Sequence, residues 1–314
     1  MKKLMIGALL AATALTFGGP SFAAYPEKKI EVIVPSTAGG GTDTMARLFA
    51  KFAEEKLGQT LVVVNKPGAG GQIGFEAIAR AKPDGYTIGC IYTPHFAAHV
   101  AAGRAKYTLD DFWVMGNLVT DPGILVVPAN SPYQTLQDFI TAAGSERLTA
   151  GTSGPGGDDD FARLSLEEAF DVTLSPVPAK GSNDAKAAVL GGHVNASFMN
   201  VSQVEAQVKA GDLRALAVLT KERVAELPDV PTVLELTGKE VLSDSSRGFA
   251  APAGIPEEAK AKLTEVFEAV VNDPAFIEAS KGQLQLNMQL HDEYHDELAK
   301  LMDSTKKRFE KSPW

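Results

Sequence analysis

The first apolar stretch, residues 4–17, carries no charge, follows Lys2 and Lys3, and is broken by Gly18, Gly19 and Pro20. It is short for a membrane-spanning helix, which needs about 20 residues. Ser21, Phe22 and Ala23 then place small residues at the first and third positions of a signal-peptidase site, so residues 1–23 are expected to be a signal peptide cleaved after Ala23. From residue 30 the pattern alternates between short strand-like runs and helical spacing. Residues 30–34, 61–64 and 86–92 read as strands; residues 43–57, with Met45, Leu48, Phe49 and Phe52 at helical spacing, and 72–81 read as helices. A second series follows Asp121 and Pro122, with strands at 123–127, 148–150, 173–178, 194–199 and 213–219 and helices at 135–143, 158–170, 183–190 and 201–210. This alternation predicts an α/β fold of doubly wound sheets.

After signal removal roughly 290 residues remain, more than one small core usually takes, so two lobes are expected. A strand at 249–252 is followed by a helical tail, with helices at 259–271, 274–280 and 291–309. The economical place for its apolar face is the first lobe. That makes lobe 1 discontinuous, residues 24–123 plus 249–314, and lobe 2 residues 124–248.

Charge narrows the function. The formal charge of −9 becomes −11 once Lys2 and Lys3 leave with the signal. No basic stripe is available for a nucleic-acid partner. An anion site must then rely on local amide dipoles rather than on the overall field. Cys90 is the single cysteine, lies in an apolar strand, and reads as a small buried hydrophobe. With one cysteine and His95, His99, His193, His291 and His295 scattered, no zinc-ligand spacing exists, and neither metal nor cofactor is expected.

Two loops carry candidate chemistry. Residues 35–43 join the first strand to the first helix through Gly39, Gly40 and Gly41, followed by Thr42 and Asp43. Glycines leave backbone amides bare, and the helix start adds its own unpaired N–H groups, giving an anion-binding nest. The loop lacks the phosphate-loop lysine, and Thr44 and Asn65 stand where a dinucleotide fingerprint needs a glycine and an acid. In the second series residues 151–157 repeat the device with Thr152, Ser153, Gly154, Gly156 and Gly157, so two facing nests are expected to hold a solute with anionic or polar groups at both ends. Asp158 follows and could face the cleft; Asp159 and Asp160 read as favourable charge at a helix start. Lys180 and Arg247 are the candidate counter-charges.

In these loops, and in the runs 57–59, 65–74, 83–87, 180–181, 190–194, 227–232 and 251–256, the chain resembles the Bug-type substrate-binding proteins of tripartite tricarboxylate transporters. The resemblance covers essentially the whole mature length. It implies an exported periplasmic receptor, monomeric, with a type II periplasmic-binding-protein arrangement. Such a receptor closes on a small carboxylate-bearing solute and passes it to membrane subunits. The binding residues implied are Thr37, Gly40, Gly41, Thr42 and Asp43 from the first lobe, Ser153, Gly154, Gly156 and Gly157 from the second, and Thr93 and Asn200 along the cleft. Residues 66–71 look like a shaping loop. Asp158 and Arg247 depart from the family pattern and suggest a solute with hydroxyls or a positive group beside its carboxylate. A ligand-presenting sensor shares this chemistry. An exported hydrolase is disfavoured, because no Gly-x-Ser-x-Gly elbow occurs and Ser153 has no assignable base.

Overall fold

The structure, a computed structural model, describes residues 25–179, 181–311 and 313–314. The signal segment and Lys180 therefore lie outside the described residues. The first lobe begins with β1 (Ile30–Val34), α1 (Gly41–Leu57), β2 (Leu61–Asn65), α2 (Gln72–Ala79), β3 (Thr87–Tyr92) and α3 (His95–Ala101). The long strand β4 (Phe112–Pro128) leads into the second lobe. There follow α4 (Leu136–Ala143), β5 (Thr149–Thr152), α5 (Asp158–Phe170), β6 (Ser175–Pro178), α6 (Ser182–Leu190), β7 (Ala196–Asn200), α7 (Val201–Ala210), β8 (Leu213–Val218) and α8 (Val233–Thr237). The chain returns through β9 (Asp244–Pro252) to α9 (Glu257–Val271), α10 (Pro274–Ser280), β10 (Leu286–Leu290) and α11 (His291–Lys311).

Two α/β lobes share one long strand, β4, and the chain crosses between them twice. The sheet order is β2-β1-β3-β9-β4-β7-β5-β6, with β8 and β10 also paired to β4. β1, β2 and β3 are parallel, as are β5, β6 and β7, because a helix links each pair. β4 and β9 run antiparallel to their neighbours. Residues 112–122 of β4 pair with β9, and residues 123–128 pair with β7 and β8, so the change of lobe falls at Pro122–Gly123. The expected strand at 123–127 is thus the second half of a longer one, since Asp121 and Pro122 do not break it: they pair with Ser245 and Asp244. The return crossing likewise precedes Asp244 rather than falling at Phe249, because the first residues of β9 already lie in the ladder with β4.

Both faces of each half-sheet are covered, which is why the central strands read as continuous apolar runs. In the first lobe Met45, Phe49, Phe249, Phe267 and Phe276 pack beneath α1, α9 and α10. Phe75, Phe96, Tyr107, Phe112 and Tyr294 fill the opposite face beneath α2, α3 and α11. The C-terminal helices therefore bury their apolar stripe on the first lobe. Two further clusters, around Phe139 and Phe198 and around Val189 and Val204, cover the second half-sheet. Cys90 is fully buried among apolar neighbours, and burial drives its thiol pKa up, so it is inert. No helix of the described residues is long and apolar enough to cross a membrane.

Candidate functional site

A cleft of about 680 Å³ lies between the carboxyl ends of the strands of the two lobes. Its first wall is the β1–α1 loop. Gly39 takes a positive φ of 79°, and Gly40 then serves as N-cap with no side-chain cap. The Gly39 amide donates to the Asp43 carboxylate at 2.8 Å, which also accepts from Arg47 and Asn65. Although burial opposes it, these hydrogen bonds hold the Asp43 carboxyl below its usual pKa. Asp43 thus closes its own loop and does not line the cleft. Thr37, Gly40, Gly41 and Thr42 do.

The second wall repeats this construction closely. Gly156 has φ 83°, Gly157 is an N-cap with φ −78° and ψ 164° against −78° and 168° at Gly40, and the Gly156 amide donates to Asp160 at 3.3 Å. The Asp160 carboxylate is in turn gripped by Arg163, as Asp43 is by Arg47. The side chains at the helix start differ. The positions of Gly41 and Thr42 in α1 are held by Asp158 and Asp159 in α5. Asp159 reaches back to accept from the Ser153 amide and hydroxyl, the latter at 2.8 Å. The free amides expected of the second nest are therefore taken in part by the protein's own carboxylates. Ser153, Gly154 and Asp158 line the cleft; Gly156 and Gly157 sit behind it.

The floor is a buried polar network where the lobes meet. Arg247, 4% exposed on β9, donates to Asp121 at 2.9 Å and to Asn200 at 3.0 Å. Asn200 passes the connection on to Asp158 through a 2.7 Å hydrogen bond from its amide. Asp121, fully buried on β4, also accepts from the amide of Ser202 at 3.1 Å and from its hydroxyl. One cation is thus shared between groups of both lobes, with Gly41 against it: a β-carbon there would stand 3.0 Å from an Arg247 nitrogen. Burial pushes the Asp158 carboxyl up to about 6, against the pull of Asn200 and Arg247. Asp159 is pushed well above the usual range by burial and then by Asp158.

Of the other residues singled out from sequence, Asn200 and Arg247 line the cleft, whereas Thr93 is buried beside it and bonded to Ser246. The turn at Gly68–Gly71 lines the cleft as well as shaping it. Residues with no assigned role in the sequence join it: Tyr92, His95, His99, Arg104, Ser182 and Gln203. The four-residue spacing of His95 and His99 was the available signal, since it puts both on one face of a helix. No cluster of described residues could hold a metal ion.

Residues 45–311 match the family described as tripartite tricarboxylate transporter family receptor. The chain belongs to this family. BugT of Bordetella pertussis is 31% identical over 294 residues, covering 89% of this chain and 87% of that one. The solved periplasmic binding protein BugD superposes with a TM-score of 0.81 at 29% identity, over 91% of this chain and 98% of that one. MatC of Rhodopseudomonas palustris, solved with bound malate, gives a TM-score of 0.78 at 26% identity, over 91% and 99% of the two chains. The receptor is thus of the Bug type, and its family is one of periplasmic solute receptors rather than enzymes.

Proposed function

We propose that this receptor captures a small carboxylate-bearing solute by closing its lobes, residues 25–122 plus 244–314 and residues 123–243 once the two crossings are moved to Pro122–Gly123 and ahead of Asp244, and delivers it to the membrane subunits of its transporter. The observation that carries this reading is the convergence on one cleft of the uncapped start of α1 and the Arg247 guanidinium. Unpaired N–H groups at a helix start favour an anion, and the guanidinium has five donors, of which its bonds to Asp121 and Asn200 occupy only part. Both act in a cavity that closure would empty of water, where such interactions strengthen. Malate in the related MatC supports a carboxylate ligand. Aligning the carboxylate with α1 explains how an acidic protein binds an anion: the charge it meets is local.

Thermal-shift and calorimetric titration with a panel of organic acids tests the reading. At least one acid should raise the melting temperature and remain chemically unchanged, as ligand linkage requires. Consumption of the acid, or no response to any, would overturn it. Deleting the protein and following uptake of the labelled acid then tests delivery.

A further inference from the structure

The second wall of the cleft is held from behind by the other lobe. Gly156 and Gly157, expected from sequence at the solute, have first-lobe groups where their side chains would be. A β-carbon on Gly156 would stand 2.9 Å from the Ala98 methyl of α3 and 2.8 Å from the indole Nε1 of Trp314. One on Gly157 would stand 2.8 Å from Cε1 of His95, also in α3. The loop before α5 is thus pressed between α3 and a tryptophan that follows α11.

Trp314 is part of a longer contact between α11 and α5. Its ring meets Phe309 at 4.8 Å and Phe161 at 4.9 Å, edge to face in both cases. The Arg308 guanidinium lies 5.3 Å from the centre of the Phe161 ring and donates to the Ser165 hydroxyl at 3.3 Å, and Lys311 pairs with Glu168 at 2.7 Å. Phe161, Ser165 and Glu168 are four and three residues apart, so they form one stripe of α5. The body of α11 packs on α3 and β4, with Tyr294 and Leu298 buried there, which anchors this contact in the first lobe.

Toward the hinge strands a groove of about 780 Å³ opens between the two helices, bordered by Leu164, Leu242, Asp244, Leu301 and Thr305. The lobes are therefore joined here by the ends of side chains. The Lys311–Glu168 pair is exposed, 75% and 66%, and contributes little; the indole, its N–H buried and unpaired, is held by packing. Such a contact can part and re-form as the lobes move, whereas a close-packed core cannot. Its direction follows from the geometry at Gly156. Ala98 and Trp314 touch the same loop from the same lobe, so a rotation that opens the cleft and takes the loop from α3 takes it from Trp314 as well. A contact made only in the closed arrangement slows release of a trapped solute rather than its entry.

Resting on the lobe-closing reading above, we propose that Trp314, with Phe161 and Arg308, is a cross-lobe latch that positions the loop of residues 153–157 as the second wall of the cleft and lets it go on opening.

Hydrogen exchange of the full chain without solute, followed by NMR, is the first test. Trp314→Ala should speed exchange of the Ser153, Gly156 and Gly157 amides, which are bonded to Asp159, Asp160 and Gly154, at least about fivefold and leave the Gly39 amide of the first loop unchanged. Stopped-flow kinetics then uses whichever of malate, succinate, citrate and gluconate binds most tightly. Trp314→Ala should release it at least about tenfold faster, with the association rate within about threefold of the parent. The melting temperature should stay within about 2 °C, which a merely structural role would not allow. Phe161→Ala, from the opposite lobe, should speed release to a similar extent, and the double variant should be no more than about twofold faster than either single one, because the two rings act through each other. Unchanged exchange at residues 153–157, release that is unchanged or slower in Trp314→Ala, or additive effects of the two substitutions overturns the latch while leaving the carboxylate reading intact. Failure of every acid to bind overturns the carboxylate reading, and hydrogen exchange alone then decides the latch.

Discussion

The two strand-to-helix loops share a backbone and differ in chemistry. Each has a left-handed glycine, a glycine N-cap in nearly the same conformation, and an aspartate in the third helical position that accepts from that left-handed glycine. What separates them is the first two helical residues, Gly41 and Thr42 against Asp158 and Asp159. In the first lobe those positions leave helix-start amides bare beside Arg247. In the second they add two carboxylates to the same dipole. A glycine-rich turn before a helix thus offers an anion site only where side chains leave it open, and that difference, with Arg247 beside the first loop, supports the proposed placing of the solute's charged end in the first lobe.

The largest effect is expected from removing the cation that gives the first loop its sign. Arg247→Leu leaves the fully buried Asp121 carboxyl without its ion pair, which should cost about 3–5 kcal/mol in denaturant unfolding. A loss under about 1 kcal/mol would show that Ser202 alone satisfies Asp121. Next comes Gly41→Val. The helical backbone at Gly41 accepts a side chain, but its β-carbon would meet the guanidinium of Arg247 at 3.0–3.2 Å and occupy the bare amide corner. Affinity for the solute should fall about 100-fold, roughly 3 kcal/mol by calorimetry, with the melting temperature little changed. Retained affinity would move the anion away from α1 and remove the asymmetry between the loops.

The acidic side of the comparison is tested by pH. Asp158, raised from 3.8 to about 6 by burial, binds its proton more tightly folded than unfolded. Its protonation therefore contributes stability below pH 3.8 that is lost as pH rises through about 6. Asp158→Asn keeps a neutral side chain throughout, so the variant should gain a few degrees in melting temperature over the parent between pH 4 and 7. A constant difference across that range would mean that Asp159 carries the shared proton instead.

Much of this was legible in the chain. α5, α7 and α10 fall where hydrophobic spacing places them, because each buries one stripe between clear start and stop residues. The first half of β4 was not, because Asp121 and Pro122 look like a break until Arg247 is seen neutralising the acid across the ladder. β10, Leu-Asn-Met-Gln-Leu, alternates apolar and polar residues as a strand does, but it is only five residues long between two helices, and its pairing with β4 is a tertiary matter. Within the site, glycine runs marked both loops. What they could not show is that Asp43, Asp159 and Asp160 would turn back on their own loops, since a carboxylate at a helix start suits either role. His95 and His99 were obscured because cleft membership depends on how α3 meets the other lobe.

The smallest effects measure how far the shared backbone device is the same in both places. Asp43→Ala and Asp160→Ala each delete the carboxylate that accepts from the left-handed glycine, and helix-start interactions of this kind contribute about 0.5–2 kcal/mol. The Asp160 loss should be the larger. Its partner Arg163 is nearly buried, with 9% of the side chain exposed, whereas Arg47 is 51% exposed and screened by water. Arg163 keeps Glu167, which limits the difference. Because neither aspartate lines the cleft, solute affinity should stay within about threefold of the parent in both variants, near the scatter of single-site effects far from a ligand. A stable Asp43→Ala variant that no longer binds would instead show that closure turns this carboxylate toward the solute, and the two loops would then differ in the third helical position as well as the first two.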